Sequence, residues 1–184
     1  MADDVLGSAD AGFDVQLFAL SAVVYAERGS EILMLKRAGG ALSGQWFLPG
    51  GAVDRGELPE VAARRELLEE SGLDIDGELE LVGAYPMWVY GGDCLQLSYR
   101  GRVADGDVVV SNEHDGARWD DPVELRTTLT DELIDALAKG DERVGALVRH
   151  IRIDLDRYLV RIGRAFGDPG STGGARSGAP RRQK

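Results

Sequence analysis

Apolar positions along the chain follow two different rhythms. From Val15 to Tyr25 apolar and small residues run almost unbroken (VQLFALSAVVY), and EILMLKR follows at 31–37. The polar turn Glu27-Arg28-Gly29-Ser30 between them predicts a hairpin. A glycine-rich loop, AGGALSGQW at 38–46, leads into FLPGGAV at 47–53. From Leu58 to Ser71 the spacing becomes helical, with Pro59 and Glu60 suited to a first turn and Gly72 a natural stop. GELELVGAYPMWVY (77–90) and DCLQLSYRGRVA (93–104) read as two strands around Gly91-Gly92. Residues 105–116 are polar and turn-rich, and ARW (117–119) reads as a short strand before Asp121-Pro122. Helical spacing returns from Thr130 to Ala138 and from about Arg143 to Arg164. This order, β-β-loop-α-β-β-β-α-α, predicts an α/β fold with a mixed sheet between helices. The loose acidic arm 1–14 and the Gly/Pro/Arg-rich segment 165–184 lack periodic apolar positions, leaving 15–164 as the folded domain. The tail's composition predicts disorder.

Composition narrows the classes of function. The net charge is −11, and four basic residues with no acid lie in 171–184, so residues 1–170 carry −15. Such a body repels long nucleic acids, whose binding leans on Lys and Arg at phosphates. No apolar run approaches the roughly 20 residues of a membrane span, and the acidic start is unlike a secretory signal. Cys94 is the single cysteine, which excludes intrachain disulfides and cysteine zinc sites; it reads as a small, partly buried apolar residue. A cytoplasmic protein, monomer or homodimer, is the expectation.

On a wheel at about 100° per residue, with Val61 at zero, Glu66, Glu69 and Glu70 share an arc about 100° wide. Val61, Leu67 and Leu68 fall on the other side and are expected to face the core. Like charges at i, i+3 and i+4 destabilise a helix. The arc is therefore either an ordinary solvated face or a cation site, and oxygen-only ligands point to Mg²⁺ or Mn²⁺.

Spacing makes the pattern specific. Gly51, five residues, Glu57, seven residues, then Arg65-Glu66-Leu67-Leu68-Glu69-Glu70-Ser71-Gly72-Leu73 match the Nudix box at each of its nine constrained positions, over 23 consecutive residues. The segment thus resembles the Nudix hydrolase family, of MutT-like type, and Gln45–Gly51 looks like that family's usual lead-in. The resemblance implies an α/β/α sandwich and a loop-helix-loop site. Glu66, Glu69 and Glu70 match metal-binding glutamates, with the Gly50 carbonyl a further ligand. Glu57 and Arg65 match a pair that braces the loop, and Gly51 and Gly72 permit backbone geometry that a Cβ would hinder. In Glu113-His114-Asp115-Gly116-Ala117-Arg118-Trp119 the acid before the tryptophan is similar to the late loop of MutT-like members, where a glutamate completes the metal site; otherwise Glu113 is an ordinary loop residue. Trp119–Leu125 looks like the family's strand end and turn.

The resemblance implies Mg²⁺-dependent hydrolysis of a nucleoside diphosphate linked to another moiety, with Glu66 the first choice of general base and Glu69 the second. Arg37 is placed to meet a substrate phosphate, or is a surface arginine. Trp46, Trp88 and Tyr90 are candidates to stack on a base, while Phe47 reads as core. His114 and His150 read as exposed or structural rather than as ligands. Isopentenyl-diphosphate isomerase, within the same fold, fits less well because its catalytic cysteine and histidine-rich metal site are absent. A non-catalytic nucleotide-binding regulatory Nudix domain is the alternative of another class. Tyr85-Pro86 lies near where some subgroups carry a diagnostic residue, without a secure spacing, so the partner is a small nucleotide-type substrate of unspecified kind.

Overall fold

A computed structural model describes residues 17–39, 43–89, 92–139 and 142–164. The arm at 1–14, the tail at 165–184 and Tyr90 lie outside these residues.

β1 (Ala19–Arg28) and β2 (Glu31–Arg37) form the expected hairpin, turning at Gly29 with φ +64°. β1 runs three residues beyond the expected Tyr25, because Glu27 and Arg28 pair with Ile32 and Glu31. Beyond those two pairs the arms part. The segment that follows β2 enters the fork as two short strands that the sequence pattern did not reveal: β3 (Trp46–Phe47) pairs with β2, and β4 (Gly50–Ala52) pairs with β1. On its other edge β1 runs parallel to β6 (Gly92–Arg102), which pairs antiparallel with β5 (Glu80–Val89). β7 (His114–Asp120) lines the far edge of β2, completing a seven-stranded mixed sheet. It begins three residues before the expected strand, since pairing with β2 overrides the turn-like composition of His114–Gly116.

The strands are buried on both faces with a period of two. Ala22, Val24, Ala26, Leu33 and Leu35 meet Ala62, Ala63 and Leu67 of helix α1 (Pro59–Ser71) on one face. Tyr25, Ile32 and Met34 meet Leu129, Ile134, Leu155, Tyr158 and Leu159 on the other. That second layer comprises α2 (Pro122–Thr128), α3 (Asp131–Ala138) and α4 (Glu142–Arg161). The α/β/α sandwich is thus present. Helix α2 replaces the expected turn, and its signal was in the sequence: Asp121 Oδ1 accepts from the amides of Val123 (2.7 Å) and Glu124 (3.4 Å), and Pro122 opens the helix. Cys94 is buried. No helix among the described residues is long and apolar enough to cross a membrane.

The buried face of α1 differs from the wheel expectation. Val61 and Leu68 are about half exposed, whereas Ala62, Ala63, Leu67, Glu70 and Ser71 are buried. Two alanines let the helix sit close against the sheet, so the inward face lies beside the glutamates rather than opposite them.

Candidate active site

Local rules fix the ends of α1. Leu58 precedes a proline and takes the extended conformation this requires (φ −81°, ψ 140°), so the helix starts at Pro59. Gly72 closes it in the left-handed region at φ +71°, donating its amide to Leu68 O at 2.9 Å.

The loop before the helix is held by one arginine. Arg65 reaches Glu57 with two parallel bonds, Nε to Oε1 at 2.9 Å and Nη2 to Oε2 at 3.0 Å, and donates to Ala52 O at 3.0 Å. Hydrogen bonding to Arg65, then to the Asp54 amide, holds the Glu57 carboxyl below its ordinary value; the same partnership raises Arg65. Arg65 of the helix is thus tied to Glu57 and Ala52 of the preceding loop. Arg65 Nη1 also contacts Glu66 Oε1 at 2.8 Å and Glu69 Oε2 at 3.2 Å. One guanidinium thus gathers three of the box's carboxylates.

Glu70 takes a different course. It is buried, and its Oε2 accepts the Gly50 amide at 2.9 Å. The register explains why that amide is free. Val53 N bonds Leu20 O and Val24 N bonds Pro49 O, so the intervening pair Val23 and Gly50 is a non-hydrogen-bonded one. Burial pushes the Glu70 carboxyl up to about 7; the Gly50 amide and Arg37 oppose this, while the charges of Glu66 and Glu113 add to it.

The loop between β6 and β7 is stitched to the end of α1. Val109 N bonds Ser71 O at 2.8 Å and Ser111 N bonds Glu70 O at 3.0 Å. It delivers Glu113 beside Arg37 (Oε2 to Nη2, 3.8 Å), and Ala38 N bonds Glu113 O at 2.8 Å. Arg37, Glu113 and Glu70 therefore share one corner of the molecule. His114, buried, takes the structural alternative of its expectation: Nε2 lies 3.6 Å from Glu70 Oε1. Burial, then the charge of Arg37, keeps its pKa below the ordinary value. Nothing in its sequence context marked it, since only the pairing of β7 with β2 turns it inward. His150 lies half-buried on α4, Nδ1 2.9 Å from Ala146 O.

Other candidates sit elsewhere. Trp46 pairs with Lys36, on the sheet face away from α1, and Arg118 stacks 4.2 Å from its ring centroid. Tyr85 is buried under Arg157 of α4, and so faces the helical layer rather than this corner. As they stand, no three His, Cys, Asp or Glu side chains among the described residues converge at metal-ligand distances. Arg65 draws Glu66 and Glu69 to one side, Arg37 draws Glu113, and Glu70 turns to Gly50.

The NUDIX domain family model matches residues 16–141. A MutT-like protein of Streptomyces ambofaciens is 31% identical over 145 residues, 79% of this chain and 88% of that protein. An RNA pyrophosphohydrolase of Helicobacter pylori (strain G27) is 44% identical over 48 residues, which span 26% of this chain and 29% of that protein. Among solved structures, a MutT protein from Methanosarcina mazei Go1 shares the fold with a TM-score of 0.56 at 23% identity, over 80% of this chain and 96% of that one.

Proposed function

Because the chain belongs to the Nudix family and is a Nudix hydrolase, we propose that it uses a divalent cation to cleave a phosphoanhydride bond in a nucleoside diphosphate linked to another moiety. Nucleoside triphosphates, ADP-ribose, nucleotide sugars and dinucleoside polyphosphates all belong to that class. The observation that supports this most is the accumulation of carboxylate around Glu70, where burial and the charges of Glu66 and Glu113 disfavour ionisation. A cation relieves that cost, and an all-oxygen donor set fits Mg²⁺ or Mn²⁺. Glu66, Glu69, Glu70, Glu113 and the Gly50 carbonyl would hold it, Glu66 and Glu69 exchanging Arg65 for the new counter-charge.

When bound, such an ion neutralises the diphosphate and acidifies the attacking water. Glu66 is the first choice to accept the water's proton as the new P–O bond forms and the bridging P–O bond breaks, with Glu69 the second. Arg37, held only loosely by Glu113, is free to turn to a substrate phosphate. Glu57 and Arg65 keep the loop and helix in register and do not touch substrate.

The test is phosphate or pyrophosphate release from a panel of these nucleotides, with Mg²⁺ and with EDTA. Turnover of at least one compound, lost in EDTA and in Glu70→Gln while the fold remains intact, is the expected result. Binding without turnover across the whole panel would point instead to a nucleotide-sensing domain, and near-wild-type activity of Glu70→Gln would sink the scheme.

A further inference from the structure

β7 carries one residue more than β2 needs. Leu33, Met34, Leu35 and Lys36 pair in turn with Trp119, Arg118, Ala117 and Gly116, but Arg37 then pairs with His114. Asp115 is the extra residue of a bulge. Ala117 and Trp119 pack on the α1 side, so unbroken alternation would carry Asp115 into that row and His114 to the far face. The bulge reverses this. Asp115 leaves for the far face, where its carboxylate lies 3.3 Å from Lys36 Nζ, and His114 enters the α1 side opposite Arg37.

There the imidazole is buried between two fixed partners. Nδ1 lies 3.4 Å from Ser111 Oγ, and Nε2 lies 3.6 Å from Glu70 Oε1. Ser111 is itself anchored: its amide donates to Glu70 O at 3.0 Å, its carbonyl accepts the His114 amide at 3.2 Å, and its Oγ accepts the Glu113 amide at 3.3 Å. Opposite an ionised Glu70 a bare lone pair on Nε2 would be repelled, so the arrangement that suits the carboxylate has the proton on Nε2 and the Ser111 hydroxyl donating to Nδ1. At 3.6 Å the contact exceeds hydrogen-bond length, so what acts on the carboxylate is the charge–dipole attraction of the N–H. Glu70 is thereby flanked on both oxygens, Oε2 by the Gly50 amide and Oε1 by His114.

We propose that His114 is a positioning residue: with the Gly50 amide it fixes the carboxylate of Glu70 in a single orientation for the cation. The proposal rests on Glu70 being a cation ligand. It follows a general pattern in which groups behind a ligand set its orientation, and their loss weakens metal affinity by about 10- to 100-fold.

Binding of Mn²⁺ alone to the full chain, followed by the EPR signal of the free ion, tests it without turnover. Wild type binds and Glu70→Gln does not; His114→Ala weakens affinity about tenfold or more. His114→Gln, whose amide can donate from near the Nε2 position, recovers most of the loss. Ser111→Ala, which frees the ring without emptying its site, weakens Mn²⁺ in the same direction and serves should His114→Ala fail to fold. Variants that melt lower yet bind Mn²⁺ like wild type while folded would reduce His114 to packing and overturn the proposal. Mn²⁺ binding that is absent in wild type, or unchanged in Glu70→Gln, would overturn its premise as well.

Discussion

A methyl group added at Gly50 meets different obstacles from one added at Gly51. At Gly50, with φ +148°, a Cβ falls 2.3 Å from Ala22 O and 2.6 Å from Val23 Cα, which are backbone atoms of the central strand. At Gly51 it meets the Glu66 carboxylate at 2.6 Å, a side-chain end that can be pushed aside. Gly50→Ala is therefore expected to lower stability by about 2 kcal/mol or more. Gly51→Ala should unfold near the wild-type urea midpoint but lose about 100-fold in kcat/KM, by displacing the Glu66 carboxylate from its place in the cation site. Parallel urea titrations and kinetics check the pair; equal stability losses would mean that Glu66 is not the group that yields. From the sequence, Gly50 had a carbonyl-ligand role and only Gly51 a steric one. The distinction is one of direction: a Cβ at Gly50 points into the backbone of β1, and one at Gly51 points at the Glu66 side chain.

At the level of elements, α1 shows how far periodicity reaches. The wheel set the three glutamates on one arc and placed the core-facing side by counting large apolar residues. Ala62 and Ala63 carry more of the contact than Val61 and Leu68, because a helix with small residues inward approaches a sheet closely. Leu67→Ala, which empties a fully buried position, should cost about 2–5 kcal/mol. Leu68→Ala, half exposed, should change stability by less than about 1 kcal/mol. Denaturant unfolding of the two variants decides, and a larger loss at Leu68 would restore the wheel's orientation. The same close approach buries Glu70, which periodicity alone presents as one more exposed glutamate. Strands β3 and β4 were illegible for a related reason: two or three residues have no period, and only the open fork of the hairpin gives them partners.

Across the whole molecule, one buried carboxylate ties the helical layer to the sheet. Asp154 of α4, beyond the residues matched by the family model, accepts the Ser98 hydroxyl at 2.6 Å and the Tyr25 hydroxyl at 3.2 Å. Asp154→Ala strands both hydroxyls and should cost about 2–4 kcal/mol. Asp154→Asn keeps an acceptor and isolates the charge. Burial raises the Asp154 carboxyl above its ordinary 3.8, against the pull of Ser98, Tyr85 and Tyr25. The protonated form is thus favoured on folding, a contribution fully present below pH 3.8 and lost as pH rises through the raised value. Wild-type stability relative to Asp154→Asn should therefore be greatest in acid and diminish toward neutrality, as urea midpoints across pH will show. The opposite slope would mean that the folded site favours the carboxylate.

The sequence by itself determined the family, the helix that carries Glu66, Glu69 and Glu70, the brace of Glu57 and Arg65, and the layered α/β/α order. These depend on spacing within one segment or on the period of one element, and both are written along the chain. Tertiary structure alone decided that Glu70 is buried against Gly50, that Arg37 and Glu113 meet at its corner, and that a one-residue bulge turns His114 toward it. Each of these depends on segments brought together by strand pairing, where a shift of one residue reverses the face a side chain occupies.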